Sequence, residues 1–169
     1  MDRVVAIAQE HEKGTIDHHK HDRQIAQLTG LTEGQVAAVS TAWIGPPFSG
    51  VSELIERVLE RGFKTACLSN TNDRHWQQMN DLPEMALDRL HYRFASQEIG
   101  AVKPDATIYR HVETVTGIAP KAILYFDDHL PNIVAASNCG WKAHQVVPGQ
   151  DPVAQMNQHL VAQSCIEPW

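Results

Sequence analysis

Asp127 and Asp128 stand side by side at the end of an apolar run, in "AILYFDDHLPNI" (122–133). Neighbouring like charges repel, so the pair needs a cation close by or water around it. Two other short stretches carry groups of complementary type. "CLSNTN" (67–72) offers a hydroxyl and an amide, Ser69 and Asn70, and "GAVKPD" (100–105) offers a lone lysine, Lys103, in a loop marked by Gly and Pro. This set suits a phosphate held beside a divalent cation. The carboxylates and a few waters would bind Mg2+, a hard ion that prefers oxygen. The metal would offset the repulsion between the acids and a phosphate dianion. Lys103 would add a second positive charge, and Ser69 a hydrogen bond.

Each segment also has a plain structural reading. The paired acids suit the start of a helix, Ser69 and Asn70 suit a turn, and most lysines are solvated. The chemical reading therefore rests on all three segments meeting at one place, which is a question about the elements that carry them. Val51, Leu54, Ile55, Val58 and Leu59 form one apolar helical face, and Gly62 ends it. "FKTACLSN" reads as a strand, with a helix starting at Asn72 or Asp73. "HYRFAS" (91–96) reads as a second strand. Pro104 opens a helix carrying Ile108, Val112 and Val115, with Gly117 after it. Strand "AILYF", helix 131–139, strand "KAHQVV" and a terminal helix from about Asp151 complete the chain. Strands alternating with amphipathic helices give a mostly parallel sheet, and ligands bind beyond the carboxyl ends of its strands. "LSN" and "FDD" then share one edge.

Residues 1–47 have a different texture, helical and polar. Thr15 and Asp17 are N-cap candidates for a helix carrying Ile25 and Leu28 and closed by Gly30. Thr32 caps the next, where Val36, Val39 and Trp43 continue an apolar stripe, and "GPPFSG" (45–50) breaks the pattern. The expected architecture is α/β: a helical cap subdomain over 1–47 and a Rossmann-like, three-layer core over 48–169.

Bulk properties narrow the function. The 169 residues carry a net charge of -6 and no basic run, which argues against a nucleic-acid surface. Any anionic ligand must be held by local chemistry. Three cysteines, Cys67, Cys139 and Cys165, lack metal-type spacing and read as reduced thiols, with Cys67 a small core residue. No apolar stretch is long enough to span a bilayer, so the expected compartment is the cytoplasm. "HHKHD" (18–22) puts His18 at helical spacing from His21 and Asp22, but a solvated face is the expectation there. Trp43 and Trp76 are expected in the core or at the cap interface.

"CLSNTN", "GAVKPD" and "YFDDHLPNI" resemble, in order, the second, third and fourth motifs of the haloacid dehalogenase-like hydrolases. The resemblance is to the branch of sugar-phosphate phosphatases, and "HEKGTID" (11–17) resembles that branch's cap. It implies that Ser69 and Asn70 contact the transferring phosphoryl group and that Lys103 stabilises its charge and orients the nucleophile. Asp128 would be the metal ligand, Asp127 a supporting or alternative ligand, and Asn132 a support for the loop. The implied cofactor is Mg2+ and the implied substrate a small phosphorylated metabolite.

The family's first motif, a strand ending in Asp-x-Asp or Asp-x-Gly, has no match here. Asp2 lacks the motif on either side and takes no such role. In the family, that strand lies between the ones ending here in Ser69 and Asp127 and carries the nucleophile, without which these residues bind and polarise only. The preferred account is a longer natural chain with the nucleophile upstream of Met1. A decayed product that folds poorly and a strand supplied by another chain are the alternatives. Two other functions stay open: a phospho-ligand-binding protein without catalysis, and a metal-independent 2-haloacid dehalogenase, which the acid pair disfavours.

Overall fold

The computed structural model describes residues 2–168. In chain order its elements are α1 (Asp2–Glu12), α2 (His18–Thr29), α3 (Glu33–Ala42), α4 (Val51–Glu60), β1 (Ala66–Ser69), α5 (Asp73–Asp81) and β2 (Tyr92–Ala95). Then follow α6 (Ser96–Ile99), α7 (Ala106–Thr116), β3 (Leu124–Asp127), α8 (Leu130–Asn138), β4 (Lys142–Gln145) and α9 (Pro152–Ala162). Local chemistry sets most boundaries. Asp17 caps α2 by accepting from the Lys20 N–H, and Gly30 ends it at φ 76°, where a side chain would be strained. Thr32 and Gln35 form a reciprocal capping box on α3. Asn72 accepts from the His75 N–H and starts α5. The helix expected from Pro104 begins at Ala106 instead, because the Asp105 carboxylate accepts from the Thr107 N–H and makes Asp105 the cap.

The described residues divide into two compact units. The first comprises residues 2–46, Cys67–Asp88 and Arg93–Val102, and the second Pro47–Ala66, Arg89–Tyr92 and residues 103–168. The N-terminal helices thus cluster with segments from the middle of the chain as well as with each other. Tertiary bonds explain this: the Ser96 hydroxyl donates to the Glu12 carbonyl, and His11 and His18 both reach Asp73.

Within the second unit, β3 and β4 pair in parallel, with Leu124 opposite Lys142 and Asp127 opposite Gln145. Strand side chains alternate between faces, and here both faces are covered. Leu124 and Phe126 pack on a cluster of Leu54, Val153, Leu160 and Ile166 from α4, α9 and the segment after it. Tyr125 points the other way, edge-on to Tyr109 of α7 and to Trp141. Helices on both faces of parallel strands are the α/β architecture the sequence predicts. Among the described residues the strands form two two-stranded sheets, β1 with β2 and β3 with β4.

One apolar expectation fails. In the first unit Val36 is buried, yet Val39 and Trp43 are 64% and 80% exposed. The end of α3 meets α5 through Ser40 and the Thr41 carbonyl, and Val39 and Trp43 stay out in solvent, so Trp43 is no core residue. No helix among the described residues is long and apolar enough to cross a membrane.

Candidate functional site

In the second unit the third and fourth motifs come together. Lys103, in the loop ahead of α7, donates to Asp127 Oδ2 at 2.7 Å, and both side chains are almost wholly buried. Asp127 is the last residue of β3, so it lies on the Tyr125 face of the strand. The Tyr125 hydroxyl donates to the same oxygen. The other oxygen, Oδ1, accepts from the His129 N–H at 2.8 Å and from Asn132 Nδ2 at 2.9 Å. Burial alone would push this carboxyl up. The bonds from Lys103, Tyr125 and His129, with the Lys103 charge, outweigh burial and hold it below the usual carboxylate range. Tyr125, by burial and by facing Asp127, is held far above the usual phenol range. The cluster is thus a fixed carboxylate under a fixed ammonium.

Asp128 is its opposite. One residue past the strand, its side chain is exposed, and only its backbone carbonyl is tied down, by Gln145 Nε2 at 2.9 Å. Four donors occupy the four lone-pair sites of Asp127, which leaves Asp128 the open carboxylate of the pair. Asn132, which donates to Asp127, is 6% exposed and its Oδ1 is buried with no hydrogen-bond partner. An open carboxylate and an unsatisfied amide oxygen are hard donors of the kind Mg2+ takes. No group of three or more His, Cys, Asp or Glu side chains among the described residues forms a complete metal cage.

The second motif lies in the first unit. Ser69 ends β1 and Asn70 follows it, leading through Thr71 and Asn72 into α5. Asp73 then accepts from His11 Nε2 at 2.6 Å and from His18 at both Nδ1 (2.6 Å) and the backbone N–H (3.2 Å). These bonds hold its carboxyl far below the usual range against the opposing effect of burial. His11 is 2% exposed, and burial lowers its pKa more than the Asp73 bond raises it, with His21 and Arg74 adding to the lowering. His21 stacks on His11 at 4.5 Å and bonds Asp22, which also takes a forked pair of bonds from Arg74. The "HHKHD" stretch is therefore a solvated face only in part: His19 and Lys20 are exposed, while His18 and His21 are both engaged. The signal sequence spacing lacked is long range, because the partner of His11 and His18 lies more than fifty positions away.

Comparison with known proteins gives a consistent family. The family model for haloacid dehalogenase-like hydrolases matches residues 2–140. Among similar solved structures is an enzyme of that family from Bacteroides thetaiotaomicron, in complex with magnesium and inorganic phosphate. It is 25% identical, with a TM-score of 0.75 over 86% of this chain and 76% of that one. A predicted hydrolase of the same kind from Porphyromonas gingivalis gives 20% identity and a TM-score of 0.79, over 91% of this chain and 78% of that one. The L-2-haloacid dehalogenase of Xanthobacter autotrophicus gives 18% and 0.67, over 99% and 69%. These last two show likeness of fold alone.

Proposed function

The chain belongs to the haloacid dehalogenase-like hydrolases, and from that premise we propose that its site serves a Mg2+-dependent phosphatase of small phosphate esters such as sugar phosphates. The observation that carries this reading is the division of labour between the paired acids: Asp127 saturated by four donors, Asp128 with its side chain exposed. That is the arrangement to expect where one acid fixes a lysine and the other faces a cation. The bound magnesium and phosphate of the Bacteroides thetaiotaomicron neighbour support the same ligand chemistry.

In this reading Lys103 holds its ammonium toward the phosphoryl oxygens, and Asp127 fixes its direction through the 2.7 Å bond. Asp128 and Asn132 would hold the metal, and Ser69 and Asn70 would contact the phosphoryl group. Bound Mg2+ would neutralise phosphate charge as a Lewis acid. The Lys103 ammonium costs little reorganisation when the ester arrives, because burial and its bond to Asp127, itself held by three further donors, have already set it.

The test is calorimetric titration of inorganic phosphate with and without Mg2+, paired with phosphate release from small phosphate esters. Mg2+-dependent binding that Asp128→Asn and Lys103→Ala each weaken by about tenfold or more is expected. Phosphate binding indifferent to Mg2+ sinks the proposed site. Tight binding with no turnover in the full natural chain selects a non-catalytic phospho-ligand-binding protein. Metal-independent halide release from a 2-haloacid selects a dehalogenase.

A further inference from the structure

One hydroxyl in the first unit does more than its own helix requires. Ser96, fully buried at the start of α6, accepts from the Thr71 N–H at 2.9 Å, and its Oγ lies 2.9 Å from the Thr71 carbonyl and 2.6 Å from that of Glu12. A hydroxyl has one proton to give, and the Glu12 oxygen, being nearer, takes it. Ser96 thus joins the exit of β1, the exit of β2 and the end of α1. The same junction is closed by packing: a Cβ on Gly14, at φ +68°, would sit 2.2 Å from the Gln97 carbonyl oxygen. Two residues along the loop, Asp73 is held by His11 and His18.

The loop that carries Ser69 and Asn70 is therefore anchored at Thr71 by Ser96 and at Asp73 by the two histidines. We infer that Ser96 is a positioning residue for phosphate: it touches no ligand itself but fixes the backbone that presents Ser69 and Asn70. This rests on the phosphate-site reading above. The reason is energetic. Loops favour many conformers, and binding to a loop not already held must include the cost of ordering it. Ser96 removes that cost before the ligand arrives, by giving the Thr71 N–H a buried acceptor it would otherwise lack.

Ser96→Ala in the full chain tests this, read by phosphate titration, by Mg2+ titration and by the Thr71 amide in a 1H–15N spectrum. The expected result is phosphate binding weakened by about tenfold, Mg2+ affinity unchanged, and a Thr71 amide that loses its protection from hydrogen exchange. A purely structural role would move Mg2+ and phosphate affinity together, and that result overturns the inference. So does unchanged phosphate affinity. If Ser96→Ala does not fold, Ser96→Cys keeps a weak acceptor and is expected to give an intermediate loss. Exchange in the wild type needs no variant: a Thr71 amide exchanging at an unstructured rate overturns the inference. A wild type that binds no phosphate defeats the site reading itself, and is told apart because every variant then behaves alike.

Discussion

Replacing Asp127 by Asn keeps shape and volume, yet it disturbs all four bonds that converge on the carboxylate. Oδ1 takes the His129 N–H and Asn132 Nδ2, and Oδ2 takes Lys103 and Tyr125. An amide has one acceptor oxygen and one NH2, so either orientation turns a donor toward two donors. With NH2 toward His129, Asn132 can rotate to accept with its free Oδ1, but the backbone N–H cannot. With NH2 toward Lys103, an ammonium at 10% side-chain exposure loses its carboxylate. Breaking a buried ion pair from one side costs about 3–5 kcal/mol, which for a chain of this size lowers Tm by roughly 10 °C. Lys103→Met also breaks the pair from one side and leaves the Asp127 charge buried, but Asp127 keeps its three other donors, so the loss should be smaller than for Asp127→Asn. Urea unfolding of the two variants against wild type measures both. An Asp127→Asn loss under about 1 kcal/mol, or a Lys103→Met loss exceeding it, would refute the picture of Asp127 as the saturated member of the pair.

Acid should weaken the first unit's histidine cluster. His11 has a folded pKa below its unfolded value of 6.5, so the unfolded chain binds more protons as pH drops and stability falls with it. The contribution is complete above pH 6.5 and is lost progressively below that, and Asp73, also depressed, adds a loss at still lower pH. Tm recorded from pH 7.5 down to 5 should decline in the wild type and less steeply in His11→Gln; parallel curves would remove His11 as the cause. Gly14→Ala should cost at least about 1–3 kcal/mol in chemical denaturation, from the positive φ and the collision with the Gln97 carbonyl. Leu54→Ala, at 2% exposure in the α4–α9 cluster, should cost about 2–5 kcal/mol. Trp43→Ser, at 80% exposure, should stay within about 0.5 kcal/mol in the same assay.

What could be read from sequence here was local, and what could not was tertiary. Asp17, Gly30, Thr32 and Asn72 act on backbone groups within a few residues, so their caps are visible in the order of letters. The paired acids at a strand end were equally visible. Which acid meets Lys103 follows from the strand's alternation, since Asp127 shares the Tyr125 face and Asp128 lies beyond the ladder. The Asp73 clasp on His11 and His18, and the Ser96 bonds to Thr71 and Glu12, join segments far apart in the chain. No periodicity encodes them. Asp105 displaced Pro104 as the start of α7 because a side-chain acceptor for the Thr107 N–H defines a cap more strongly than a fixed φ does.

The aromatic packing behind the site also makes this protein optically informative. Trp141, 5% exposed, lies edge-on to Tyr109 at 5.2 Å and to Tyr125 at 5.5 Å. Rings fixed in an asymmetric setting give sharp near-ultraviolet dichroism, and a dry indole emits to the blue beyond the reach of iodide. Trp43, out in water, emits to the red and is readily quenched. Because the Tyr125 hydroxyl rests on Asp127, the shielded chromophores are wired to the carboxylate that orients Lys103. A ligand that shifts that carboxylate should announce itself in the quencher-resistant part of the emission, with no label attached.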